Sequence, residues 1–509
     1  MNMAPHSRDD RLEHKGMVNP THFESGIRPA LVAVDLGAES CRVSLLRWVD
    51  RQPEIQLLHR FANAPVREQD GLHWDIRRIC DGVDQGLRAC AELAPEGIAA
   101  IGVDGWAVDY VRLDAAGDPL GNPFCYRDER TVASQKEVHA HISADRLYAL
   151  TGIQILPLNT LYQLRADGLQ GTRQDTPWVN LPEFVLHHLG GQRVSEYTNA
   201  THTQLLGVED QAWCPEIFAG AGLDLKAAPR VVRPGTDIGR VEGGLAGLPA
   251  FRDTRLIAPA CHDTAVAIAG LSAQGDDWAF ISSGTWSLVG CVLDFPCLGS
   301  HAMRSNFSNE GGIGGKINFL KNVNGMWLLQ QCMEHWQSQG HAWTWDRLLE
   351  ECAILPPPSL ILNVDDPGLL LPGNMPERIS AQLARAGQPS ILPEPAMANL
   401  IFHSLAARYA VVLRDLASIT GRTLKRIYVV GGGSKNTLLN RLTEKTTGLK
   451  VVVGPSESAT VGNFAVQLAA LVGDYRQGLG VTAAAVADWA GLLAARPMGP
   501  VRLQPTLSR

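Results

Sequence analysis

Residues 31–46 read LVAVDLGAESCRVSLL, and residues 278–293 read WAFISSGTWSLVGCVL. Each is an apolar run of strand character, a turn of small residues (Leu36-Gly37-Ala38 in one, Ser283-Gly284-Thr285 in the other), and a second apolar run. A hairpin closed by small residues turns its backbone N–H groups into open space, and such a nest attracts anions. Either copy alone is compatible with an ordinary hairpin. Two copies about 250 residues apart predict a duplicated α/β core that clamps one polyphosphate between its halves.

The bulk properties narrow the class. A chain of 509 residues exceeds what one hydrophobic core serves, so two large domains are expected. Fifty glycines favour a turn-rich α/β enzyme over a helical bundle. The net charge of −7, with no run of Lys or Arg, argues against nucleic-acid binding. A phosphate ligand in an acidic chain therefore calls for backbone donors and a divalent cation. The ten cysteines lack CxxC spacing and lie mostly in apolar runs, as reduced thiols of a cytoplasmic protein without zinc do. Residues 1–29 are polar, mixed in charge and lack an apolar core, which predicts a disordered extension rather than a signal peptide. The apolar stretch Val481–Ala495 contains Asp488 and is too short to span a bilayer, so it is expected to be a buried helix in a protein with no membrane partner.

Working outward from the first hairpin, a third strand is predicted at Ile55–Phe61, a helix at Ile76–Leu93 and a buried strand at Ala99–Val103, with Leu223–Pro249 irregular. The later half predicts helices at Gly325–Trp336, Ala396–Thr420 and Thr437–Thr447, and strands at Arg426–Val430 and Lys450–Val453. The Pro-rich ILPPPSLILNVDDPG is a loop or an inserted strand. Strands alternating with helices in each half argue a layered α/β fold.

Four places carry candidate chemistry. Asp35 closes a buried strand just before the first turn, where a carboxylate either holds Mg²⁺ beside phosphates or stabilises the turn. Asp263, in Cys261-His262-Asp263-Thr264, stands at a strand–helix junction, as a base that accepts a hydroxyl proton or as a helix cap. VDGWAVDYV places Asp104, Trp106 and Asp109 together, as a sugar-stacking wall with hydroxyl-binding carboxylates or as part of the core. Gly431-Gly432-Gly433 follows a strand, as an adenosine pocket or a tight turn. EGGIGGKIN departs from a Walker loop at Ile317, and GPSESATVG lacks the closing glycine of a nucleophile elbow, so P-loop and serine-hydrolase chemistry drop out.

In order along residues 31–468, AVDLGAES, HWDI, YRDER, TGIQILPLNTLYQL, EYTNATHTQL, CHDTA, SSGTWSL, NEGG, LKNVNGMWLLQ, VGGGSKNTLLN and GPSESATVGN resemble the FGGY carbohydrate kinases, most closely those that phosphorylate L-rhamnulose. The resemblance implies a two-domain actin-like (ribonuclease H-like) fold with its active site in the interdomain cleft. It implies a sugar- and phosphate-binding domain over 30–265 and a nucleotide-binding domain over 266–500. ATP and Mg²⁺ would be used, with Ala38, Glu39, Ser40, Cys41, Arg42, Thr285, Gln330, Gly432 and Gly433 around the nucleotide and Asp35 at the metal. Trp106, Ala107, His262, Asp263, Thr264 and Asn322 would contact the ketose, with Asp263 as proton acceptor, in a monomer or homodimer. The expected product is L-rhamnulose 1-phosphate. Where the family carries Thr-Trp-Gly this chain has Gly105-Trp106-Ala107, which leaves another ketose, such as L-fuculose or a branched pentulose, as the alternative. A catalytically weak sugar-binding regulator is a third reading.

Overall fold

The computed structural model describes residues 29–495 except 390, 391, 456, 474 and 477. The extension expected over residues 1–29 falls almost wholly outside the described residues, as does the end of the second domain beyond residue 495.

The fold opens with three antiparallel strands, β1 (Ala30–Leu36), β2 (Ser40–Val49) and β3 (Gln52–Ala62), followed by helix α1 (Ile76–Leu93) and strand β4 (Ile98–Gly105). An excursion then carries α2 (Thr160–Leu169), α3 (Leu181–His188) and α4 (Tyr197–His202) before the sheet is completed by β5 (Thr236–Arg240), β6 (Arg255–Ala258) and helix α5 (Asp263–Ala269). The six strands lie in the order β5-β6-β4-β1-β2-β3. β5 occupies part of the stretch expected to be irregular; a five-residue edge strand with Gly239 in it carries too little apolar alternation to be seen.

The second half repeats the plan. β7 (Trp278–Ser283), β8 (Trp286–Leu293), β9 (Ser308–Gly311) and β10 (Ile317–Asn324) precede helices α6 (Trp327–Ser338), α7 (Trp345–Ala353) and α8 (Glu394–Thr420). Then come β11 (Arg426–Val430), α9 (Thr437–Thr447), β12 (Lys450–Val453), α10 (Ser458–Leu471) and α11 (Ala483–Ala494). The strand order is β9-β10-β8-β7-β11-β12. In both sheets an antiparallel hairpin (β1-β2, β7-β8) is flanked by an antiparallel third strand and by parallel strands on its other side. This is the two-domain actin-like arrangement.

The period-2 alternation of β1 explains where the chemistry goes. Val32, Val34 and Leu36 face a core shared with α1 and α3, whereas Leu31 and Ala33 face a core shared with α10 and α11. Asp35 has the parity of the second set and so is delivered to the side where the halves meet. Helix α8 is long and apolar enough to cross a bilayer by length and composition, yet most of it is buried in the core of the second half.

Candidate active site

One cavity of about 670 Å³ lies between the sheets, within the range of small-molecule sites. Asp35, Ala38, Glu39, Ser40, Arg42, Trp106, Ala107, His262, Asp263, Thr264, Thr285, Asn322, Gln330, Gly432 and Gly433 all line it. Cys41 is the exception. Its side chain is buried in the core beneath the hairpin, and burial followed by the charge of Asp35 pushes its thiol up to about 12. Strand parity turns it away from the cleft, so only its backbone is near the loop.

At the hairpin, Arg42 Nη1 donates to Asp35 Oδ2 at 2.7 Å across the β1-β2 register, and Asp35 makes no turn-capping bond among the described residues. The two hairpins touch: Thr285 Oγ1 donates to Glu39 Oε1 at 2.8 Å. Behind them the Gly431 turn (φ +82°) passes so close to β7 that a Cβ there would lie 2.7 Å from the Ser283 carbonyl, while Gly432 opens into the cavity. The triple glycine therefore serves both as tight turn and as pocket wall.

Asp263 begins α5, but the cap position belongs to His262, and no side-chain capping bond forms. Burial first, and then the neighbouring Asp35 charge, push the Asp263 carboxyl up to about 7, against the lowering effect of the Thr264 amide and hydroxyl. About 39% of its side chain remains open to the cleft. The turn that presents it is held from below: Glu196 Oε2 accepts from Cys261 N at 2.8 Å, and the His262 amide donates to Thr198 Oγ1 at 3.3 Å. Asn322 is oriented by Gln154, whose Oε1 accepts from Asn322 N and Nδ2 at 2.9 and 3.1 Å.

Asp104 and Asp109 correct an expectation. Both are fully buried and neither lines the cavity. Asp104 accepts from Asn463 Nδ2 at 2.7 Å, with its carboxyl held well above the usual range by burial and then by Asp35. Asp109 accepts from Trp74 Nε1, Trp106 Nε1 and Gln163 Nε2 at 2.6, 3.0 and 3.0 Å. It anchors Trp106 instead of meeting a sugar. Trp106 is itself both core and wall, 4.6 Å from the Trp74 ring with one edge in the cavity.

The cleft also takes in residues that were given no role from the sequence. Arg60 and Lys435 add cationic charge to the phosphate end, Trp345 from α7 offers a partly exposed ring, and Glu457 adds a further carboxylate. His202 and Glu310 lie beside His262. For magnesium, the donor set fits: the carboxylates of Asp35 and Asp263 both face the cleft, hard oxygen donors of the kind a divalent cation takes. For a nucleotide, Gln330 Oε1 is buried with no hydrogen-bond partner among the described residues, and Gln330 lines the same cavity as the open face at Gly432.

Comparison with known proteins agrees with this geometry. The signature of the FGGY family of carbohydrate kinases, N-terminal domain, matches residues 30–270, and that of its C-terminal domain matches residues 279–471. A rhamnulokinase from Pectobacterium carotovorum subsp. carotovorum is 36% identical over 452 residues, covering 87% of this chain and 88% of the relative. One from Bacteroides thetaiotaomicron is 35% identical over 438 residues, covering 86% and 89%. Among solved structures, a ligand-bound xylulose kinase from Lactobacillus acidophilus superposes with a TM-score of 0.69 at 17% identity, covering 92% of this chain and 96% of that one. Plasmodium falciparum glycerol kinase with ADP gives 0.68 at 12% identity, covering 89% and 91%.

Proposed function

Because the chain belongs to the FGGY family of carbohydrate kinases, we propose that it transfers the γ-phosphoryl group of ATP to the 1-hydroxyl of L-rhamnulose, giving L-rhamnulose 1-phosphate and ADP. The observation that carries the reading is Asp263, a carboxylate with its pKa raised to about 7, on the cleft floor between two phosphate-type hairpins. A base of that pKa is matched to neutral pH, and accepting the hydroxyl proton contributes about 10²–10⁴-fold. Trp106, Ala107 and Asn322 would position the ketose, and His262 and Thr264 flank the base. Ala38, Ser40, Arg42, Thr285, Gln330, Gly432 and Gly433 would hold the nucleotide. A magnesium ion held at Asp35 would supply charge neutralisation for the polyphosphate.

The 6-deoxy preference rests on the far wall. Val108, Ile153, Leu156 and Leu158 line the same cavity and match a methyl rather than a hydroxymethyl terminus. A second reading, another ketose such as L-fuculose or a branched pentulose, is favoured by Gly105. There a Cβ would lie 2.8 Å from Leu36 Cβ, so no side chain replaces the family's threonine. The test is ADP release with Mg-ATP across a ketose panel. Turnover strongest on L-rhamnulose supports the proposal; strongest turnover on a different ketose transfers the specificity to Gly105-Trp106-Ala107. Absence of ketose-dependent ADP release together with tight ketose binding would favour a sugar-binding regulator.

A further inference from the structure

Beside the base, three buried side chains face one another with several of their polar atoms unpaired, while His262 Nε2 lies 3.3 Å from Asp263 Oδ1. His202, at the end of α4, His262, at the cap of α5, and Glu310, in β9, are 7%, 4% and 1% exposed, and all line the cavity. His202 Nε2 is 2.9 Å from Glu310 Oε2, and His262 Nδ1 is 4.0 Å from the same oxygen. Neither approach is directed along an N–H. His202 Nε2, His262 Nδ1 and both oxygens of Glu310 lack a hydrogen-bond partner among the described residues. Leaving such groups unsatisfied is unfavourable, so the arrangement makes sense once something else fills it.

The donor pattern says what fills it. A carboxylate only accepts, and a neutral imidazole offers one donor and one acceptor. An acceptor between two ambivalent rings suits hydroxyls, which donate to the carboxylate and accept from a ring N–H. It disfavours carboxylate or phosphate, which Glu310 repels.

We propose that His202 and Glu310, with His262, form a hydroxyl-reading subsite that binds two adjacent hydroxyls of the acceptor sugar and selects neutral ketoses over acidic sugars. This rests on the kinase reading above and extends it to two residues of the EYTNATHTQL and NEGG stretches that had no assigned role. Glu310 and His202 are specificity residues; the proton still leaves to Asp263.

The test compares wild type with E310Q and H202Q by calorimetry against L-rhamnulose, L-fuculose, L-ribulose and D-gluconate, with kinetics on whichever ketose wild type turns over best. The expected result is that E310Q weakens ketose binding by about 10–100-fold, with the KM for ATP within twofold and the thermal midpoint undiminished. H202Q, which keeps one donor and one acceptor, should retain more affinity than E310Q. Equal ketose affinity in wild type and E310Q overturns the subsite while leaving the kinase reading intact. A lower thermal midpoint with unchanged ketose affinity assigns the cluster a purely structural role and also overturns it. One equivalent of tightly bound transition metal in wild type, lost in E310Q, would replace the subsite by a metal centre. A wild type that neither binds nor phosphorylates any of the ketoses overturns the substrate reading and the subsite together, whatever the variants do.

Discussion

Asp263 is where one side chain's environment sets the chemistry. Its carboxyl is raised to about 7 by burial first and by Asp35 second. As a base it must be ionised before the ketose proton can leave, so kcat/KM should fall on the acid side with an apparent pKa near 7. Removing the Asp35 charge should move that limb to lower pH, because the repulsion opposing ionisation is gone. The measurement is the pH–rate profile of wild type and Asp35→Asn, whose own activity loss affects the height of the curve and not the position of its limb. A limb that stays at 7 in the variant would assign the titration to another group. Asp263→Asn should lose at least about 10²-fold in kcat while still binding ketose, as expected for a group whose contribution appears in the transition state. Retained turnover would remove Asp263 from the role of base.

At the scale of the element, the segment from Gly105 to Asp109 is held in a conformation its sequence disfavours. Val108 is β-branched yet has φ +73°, in the left-handed region, a strain of about 1–3 kcal/mol. Its carbonyl accepts from Thr160 Oγ1 at 2.7 Å and Gln163 Nε2 at 3.3 Å, both from α2, while Asp109 ties Trp106 and Trp74 together. Thr160→Val removes one restraint and keeps the shape. It should raise the KM for ketose several-fold while the KM for ATP stays constant, which steady-state kinetics with each substrate varied will read. Equal changes in both constants would point to a general loosening of the domain. Such strain cannot be read in the string AVDYV, because the bonds that enforce it come from residues more than 50 positions away. The elements that were legible are those with their own periodicity: α9 and β11 run over Thr437–Thr447 and Arg426–Val430 as expected, and the two hairpins lie where the small-residue turns placed them. The site was legible where a family motif marked it. Glu310 and Glu457 lay inside two stretches that resemble the family, NEGG and GPSESATVGN, as well as inside a failed Walker loop and a failed nucleophile elbow, yet neither was given a role from the sequence. Their significance comes from β9 and the start of α10 being folded against a cleft built by distant strands.

Over the whole molecule, the site's support is tied to the stability of the fold through protons. Glu183 on α3 and Glu196 before α4 are fully buried neighbours whose carboxyls are pushed up to about 8 and about 7, by burial above all. In the unfolded chain a glutamate titrates near 4.5, so at pH 5–8 the folded state holds protons that the unfolded state has released. Stability then falls as pH rises, by at most about 1.4 kcal/mol per pH unit for each such group, and levels off above the folded pKa. His262 works in the opposite direction, since its lowered pKa makes stability rise with pH, but only up to its ordinary value of 6.5. The window from pH 6.5 to 8 therefore isolates the acids, and the urea midpoint of the wild type should decline across it. Glu183→Gln should flatten that decline. The variant is tolerable because Asn199, which donates to Glu183 Oε2 at 2.8 Å, has its own Oδ1 unpartnered and can turn to accept from the new amide. A midpoint that rises from pH 6.5 to 8 in the wild type would mean that the surrounding donors favour the charged carboxylates over burial. Because Glu196 holds the Cys261 amide beneath Asp263, the same window contains the acid limb of catalysis. The pH that ionises the base thus begins to unsettle its support, and activity at constant temperature should peak between the two effects.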